Sequence, residues 1–127
     1  MRARNAKMKR KANGSKEEHD KLVASTLIHL GANAFKIGRF FDNPTGVAYR
    51  DHVWGREYIR YGVKGSADIY GYILGGFIIY LEAKTGGAVQ QENQVDFEKI
   101  ARSFGCLYFV FHSKEEALEY VLRAASR

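Results

Sequence analysis

Three residues stand at spacings that could do chemistry: Asp68, Glu82 and Lys84. Glu82 and Lys84 lie two apart at the end of Phe77-Ile78-Ile79-Tyr80-Leu81-Glu82-Ala83-Lys84-Thr85-Gly86, where an apolar run flows into the acid and Gly86-Gly87 closes the segment. Such a run reads as a strand, and residues two apart on a strand leave the same face. The acid and the lysine therefore stand side by side, with Ala83 pointing the other way. Upstream, Asp68-Ile69-Tyr70-Gly71-Tyr72-Ile73 is rich in β-formers, and Leu74-Gly75-Gly76 is a hairpin-type connection. Pairing across it brings Asp68 to the end that carries Glu82 and Lys84. Apolar residues flank these charges, so Glu82 and Lys84 should sit in or beside the core. Converging carboxylates repel one another unless a cation lies between them, and Mg²⁺ prefers hard oxygen ligands and shares its shell readily with phosphate. A lysine beside that cation can orient or help deprotonate a water, which is equipment for hydrolysing a phosphodiester.

These residues carry a resemblance. Gly65-Ser66-Ala67-Asp68, a hairpin, Leu81-Glu82-Ala83-Lys84-Thr85-Gly86, and then Gln91 and Gln94 on the next helix resemble the nuclease core of the PD-(D/E)xK superfamily. Within it, residues 17–122 are most similar to the virus-type replication-repair nuclease (VRR-NUC) domain, with Ala67 where the superfamily's name has proline. The resemblance implies an α/β, restriction-endonuclease-like core and a Mg²⁺-dependent endonuclease in which Mn²⁺ substitutes. It implies that Asp68 and Glu82 bind metal together with the backbone carbonyl of Ala83, that Lys84 positions the attacking water, and that Gln94 holds Lys84 or the water. It places a further acid at Glu17 or Glu18, of which Glu18 fits the spacing to Gly31 better, near a second metal or its waters; a capping role competes for that residue. Stand-alone single-domain members act as dimers on four-way junctions, so the expected partners are branched or duplex DNA and a second copy of the chain, with no small-molecule cofactor. Two other readings stay open: a non-catalytic nucleic-acid-binding module of the same fold, and a superfamily nuclease acting in restriction or RNA processing.

Composition bounds the rest. At 127 residues and 46% hydrophobic, the chain reads as one globular domain, residues 15–127, preceded by an arm, residues 1–14. The formal charge of +6 is uneven: residues 1–16 hold seven basic side chains and no acid, and the remainder is nearly neutral. Such an arm is drawn to polyanions, which makes Lys9, Arg10 and Lys11 candidate DNA contacts. The single cysteine, Cys106, lies in an apolar run and reads as a buried thiol rather than a zinc or disulfide partner. No apolar run approaches a membrane span and no apolar segment follows the basic start, so a cytoplasmic setting is expected, that of a host cell if the gene is viral.

The elements that must position the site follow from periodicity and punctuation. Ser15 with Glu18 forms a capping box for a helix over 16–30 that Gly31 stops, with Leu22, Val23, Leu27 and Leu30 as its packing stripe. A strand over 34–41 is broken by Asp42-Asn43-Pro44-Thr45-Gly46. Residues 47–55 read as irregular, and their aromatic and basic residues suit either a nucleic-acid surface or a cover for the core. Residues 43–46 and 57–61 resemble the turn and Arg-rich strand that precede the Gly-x-x-Asp motif in relatives, which implies Arg50, Arg56 and Arg60, with Lys64, as candidate phosphate contacts. A helix over 91–104 turns Phe97, Ile100, Ala101 and Phe104 inward, and Gln94 with them. A strand over 106–111 and a helix opened by Ser113 and Glu116 complete a mixed sheet with helices on both faces.

Overall fold

In the computed structural model, residues 15–126 are described. Helix α1 (Lys16–Asn33) opens with Ser15, whose Oγ accepts the backbone N–H of Glu18 at 3.0 Å. It runs straight through Gly31 and ends at Ala34, whose N–H bonds the Leu30 carbonyl. Gly31 was expected to stop the helix, but an exposed glycine costs a helix only about 1 kcal/mol, which the packing of Leu30 on the core outweighs. Next come β1 (Gly38–Asp42), β2 (Gly46–His52), β3 (Gly55–Tyr61), β4 (Ile69–Ile73) and β5 (Phe77–Ala83). Helix α2 (Glu92–Ser103), β6 (Leu107–Phe111) and α3 (Lys114–Ala125) finish the chain.

Four strands make one mixed sheet in the order β1-β4-β5-β6, antiparallel except for the β5/β6 pair. Strands β4 and β5 pair as the sequence suggested, Ile69 opposite Leu81 and Ile73 opposite Phe77, around glycines 75 and 76 at φ +93° and +81°. The parallel pair needs a crossover, and α2 supplies it.

One sheet face presents Ile69, Ile79, Leu81, Ala83, Leu107 and Phe111 to Val23 and Leu30 of α1 and to Ala117, Val121 and Ala124 of α3. Each large aliphatic side chain buried there contributes about 2 kcal/mol. The other face carries Tyr80, Glu82 and Tyr108 beneath α2, with Phe97 set edge-on to Tyr80 at 5.0 Å between ring centres. Helices on both faces are thus present. Helix α2 turns differently from expectation, however: Ala101 is buried while Ile100 and Phe104 face solvent, because only one edge of the helix can reach the two strands it bridges. Cys106 is half-buried rather than enclosed.

The largest departure lies between β1 and β4. Residues 46–61 are a regular hairpin in a sheet of its own, with seven register pairs from Gly46 opposite Tyr61 to His52 opposite Gly55. Its aromatic residues do not cover the core. No helix among the described residues is long and apolar enough to cross a membrane.

Candidate active site

The register that pairs Ile69 with Leu81 places Asp68 level with Glu82, one step beyond the paired residues. Asp68 is anchored there by the backbone: its Oδ2 accepts the Ala83 N–H at 2.8 Å. Ala83 was expected to offer its carbonyl to a metal; the role visible in the structure is this amide donor. Three further contacts fix the approach of Asp68. The Asn43 side-chain amide donates to Ser66 Oγ at 2.7 Å and to the Ala67 carbonyl at 2.8 Å, and the Asn43 backbone N–H donates to the Asp68 carbonyl at 2.9 Å. Gly65, at φ +86°, lies so close to the first turn of α2 that a Cβ would come within 2.4 Å of the Asn93 carbonyl oxygen. Only glycine fits there, so the segment before Asp68 is pressed against the turn that carries Gln94.

Glu82 is fully buried, and burial is the main reason its carboxyl lies above the ordinary glutamate value; the Tyr108 hydroxyl and Lys84 pull it back, while Asp68 and Glu98 push it further up. Tyr108 donates to Glu82 Oε1 at 2.5 Å, and burial with that carboxylate raises its hydroxyl far above an ordinary phenol, which keeps it a donor at all working pH. The second oxygen, Oε2, is buried without a hydrogen-bond partner and lies 3.7 Å from Lys84 Nζ. Lys84 in turn donates to Gln94 Oε1 at 2.8 Å, which also accepts the Gln91 backbone N–H at 2.8 Å. Gln94 therefore holds the ammonium and is itself held by the start of its helix.

Asp68, Glu82, Lys84 and Gln94 thus converge from three separate elements. Glu18 does not join them. Its side chain is exposed and, among the described residues, makes no ion pair or hydrogen bond; only its backbone serves the Ser15 cap, so the capping box is half formed. Glu17 is exposed and paired with Lys21 at 3.4 Å. A helix turns about 100° per residue, and here the position aimed at the cluster is the next one, His19. Its Nε2 lies 3.2 Å from Asp68 Oδ2, and that contact holds the imidazole above the usual histidine value. If the cluster cuts nucleic acid as the resemblance implies, Glu18→Gln should cut within about twofold of wild type and His19→Ala about tenfold more slowly at unchanged melting temperature, read as single-turnover rates.

The sequence carried a signal for His19: it extends the buried series Val23, Thr26, Leu30 by one turn, at steps of four, three and four residues. Tyr108 was passed over inside an apolar strand, although a buried phenol needs an acceptor. Asn43 was read only as a turn residue. Removing it should uncouple the two loops: Asn43→Ala is expected to lower stability by about 1–3 kcal/mol, because acceptors on Ser66 and Ala67 lose their donor.

Of the candidate phosphate contacts, Arg50 pairs with Glu57 at 3.1 Å and Arg56 with Asp51 at 2.8 Å, both on the β2–β3 hairpin. Arg60 and Lys64 form no ion pair among the described residues and flank a hollow at the hairpin's base. Lys9, Arg10 and Lys11 lie outside the described residues. Between α1 and the β1–β2 turn opens a cleft of about 480 Å³, lined by Lys16, His19, Asp20, Asn43, Thr45, Ser66 and Asp68 among others.

Among the described residues no three His, Cys, Asp or Glu side chains gather around one point. Mg²⁺ does not require such a cage, since it is commonly held by one or two carboxylates with water and substrate phosphate completing the shell. Glu82 Oε2 is a buried carboxylate oxygen with no hydrogen-bond partner, at the strand end level with Asp68. No protein-family model and no curated protein matches the chain.

Proposed function

We propose that the chain is a Mg²⁺-dependent DNA endonuclease built on a PD-(D/E)xK core of the VRR-NUC type. The observation that carries this reading is Glu82 Oε2, a buried carboxylate oxygen with no hydrogen-bond partner, 3.7 Å from Lys84 Nζ at the strand end level with Asp68. A buried unpaired acceptor costs about 1–3 kcal/mol, a cost that is offset when a cation binds there. Asp68 and Glu82 would hold Mg²⁺, with Mn²⁺ as a substitute, and the bound cation would neutralise phosphate charge and favour a deprotonated water.

The protein's own groups do the rest. Tyr108 fixes the rotamer of Glu82, and the Ala83 amide fixes Asp68. Lys84, steered by Gln94, orients the attacking water and balances negative charge building on the phosphate oxygens. His19 holds the outer side of Asp68 and faces the cleft, which is where the cleaved strand would run. His19 and Asn43 on the cleft wall can meet a phosphate backbone, while Lys16 is paired with Asp20 and the wall also carries Asp42 and Asp68, so a phosphate there would call for a cation.

The substrate class we assign is branched DNA, four-way junctions first, acted on in the cytoplasm by a homodimer. One chain offers one such site, and two symmetric cuts need two. Light scattering should give twice the monomer mass at micromolar concentration; a monomer would count against junction resolution. The metal claim is tested by Mn²⁺ titration of the protein alone, followed by electron paramagnetic resonance. Saturable binding that Glu82→Gln abolishes is expected, and equal binding in both proteins would overturn the assignment. The second reading, a binding module without catalysis, draws on the exposed Arg60 and Lys64, which form no ion pair among the described residues.

A further inference from the structure

The β2–β3 hairpin has a composition that its own packing does not explain. Tyr49 and Tyr58 on one face and Ile59 and Tyr61 on the other are exposed, and at the turn Val53 and Trp54 are 109% and 75% exposed. A two-stranded hairpin alone is marginal in water, and large apolar side chains gathered on a surface mark a place of contact.

Charge selects the occupant. The hairpin's two acids, Asp51 and Glu57, are already paired with Arg56 and Arg50, and His52 also lies 3.1 Å from Glu57. What remains is positive: Arg60 and Lys64, with no ion pair among the described residues, flank a hollow of about 200 Å³ with Thr45, which also lines the cleft at Asp68. A second copy meeting this surface through a twofold axis would set like charges against each other. A nucleic-acid strand brings phosphates to the base of the hairpin and flat rings to its tip. The tip is prepared for rings: Trp54 stacks on His52 with centres 4.5 Å apart and planes 8° from parallel, and it remains three-quarters exposed. Behind it, the Arg56 guanidinium lies over the Tyr49 ring at 4.1 Å.

We propose that the β2–β3 hairpin is a DNA-reading arm: Trp54 stacks on a base that has lost its stacking neighbour at a branch, while Arg60 and Lys64 hold the phosphates that lead from that base to the cleft at Asp68. The arm rests on the nuclease reading for its purpose, but its binding is measured without cutting. Aromatic stacking on a base is tolerant of sequence and is available only where a base has lost a stacking neighbour. The arm therefore selects structure, not sequence.

Trp54 is the chain's single tryptophan, so its fluorescence reports the contact directly. The experiment titrates the full chain carrying Glu82→Gln, without metal, with a four-way junction and with a duplex of the same sequence. Quenching by the junction but not by the duplex is expected, with junction affinity about tenfold weaker in Trp54→Ala and largely restored in Trp54→Phe. Arg60→Ala and Lys64→Ala should each flatten the salt dependence of binding by about 0.9 in log–log slope. Emission unmoved by the junction, with Trp54→Ala binding as its parent does, would overturn the proposal. An emission shift that follows protein concentration instead of DNA would also overturn it and assign the hairpin to a second copy. If the protein proves unable to cut but shows the quenching, the nuclease reading falls and the arm stands; if it cuts without quenching, the reverse holds.

Discussion

Glu82→Gln and Asp68→Asn should each slow single-turnover cleavage on the order of 10³-fold, equivalent to about 4 kcal/mol of transition-state stabilisation. Both substitutions keep the shape of the side chain and remove its charge. Gln at position 82 still offers an oxygen to the Tyr108 hydroxyl, and Asn at position 68 still offers one to the Ala83 amide, so the hairpin end keeps its hydrogen bonds. What disappears is the negative charge that a divalent cation needs. DNA binding through Arg60 and Lys64 should persist in both variants. Two variants that cut as wild type does would show that this pair is not the reacting site.

The second large effect is a pH signature written by Glu82. Its carboxyl in the folded protein lies above the value of 4.5 typical of an exposed glutamate, chiefly because it is buried. The folded state therefore binds the proton more tightly than the unfolded chain, and this group adds stability as pH falls through the raised value, with the gain complete below the ordinary one. Asp20 and Glu98 run the other way, each held below its ordinary value, Asp20 mainly by Lys16 and Glu98 by Arg102, and each loses stabilisation on acidification. The informative quantity is therefore a difference: between neutral pH and pH 4.5, metal-free wild type should gain stability relative to Glu82→Gln. Tyr108→Phe removes the strongest influence holding the Glu82 carboxyl down, so its acid limb of cleavage should move to higher pH and its rate at neutral pH fall about tenfold. A pH–rate profile unchanged in Tyr108→Phe would remove Tyr108 from the account.

Much of this arrangement was legible in the sequence, and the omissions have physical causes. The Asp68, Glu82, Lys84 geometry followed from strand alternation and one glycine-rich turn, because register fixes faces with a period of two. Gln94 followed from helical spacing. Helix α1 misled by one residue: a helix start fixes the cap but not which residue of the first turn faces the sheet, and Ser15 explains Glu18 without a catalytic role. Tyr108 was hidden by its strand, since an apolar run gives no sign of where a phenol's hydroxyl ends. The β2–β3 hairpin lacked a readable alternation because it has no buried face, and burial on one face is what writes that pattern. Ile100 and Phe104 have the spacing of a core stripe yet face solvent, since spacing reports a shared face and not whether a neighbour covers it.

The most direct measurement is incubation of the protein with end-labelled duplex, flap, single-stranded and four-way-junction DNA, in Mg²⁺, in Mn²⁺ and in chelator. The account predicts discrete cuts in branched DNA with either cation, none in chelator, and none with Glu82→Gln under any condition. Cleavage that survives chelator, or that Glu82→Gln performs as well as wild type, would contradict it.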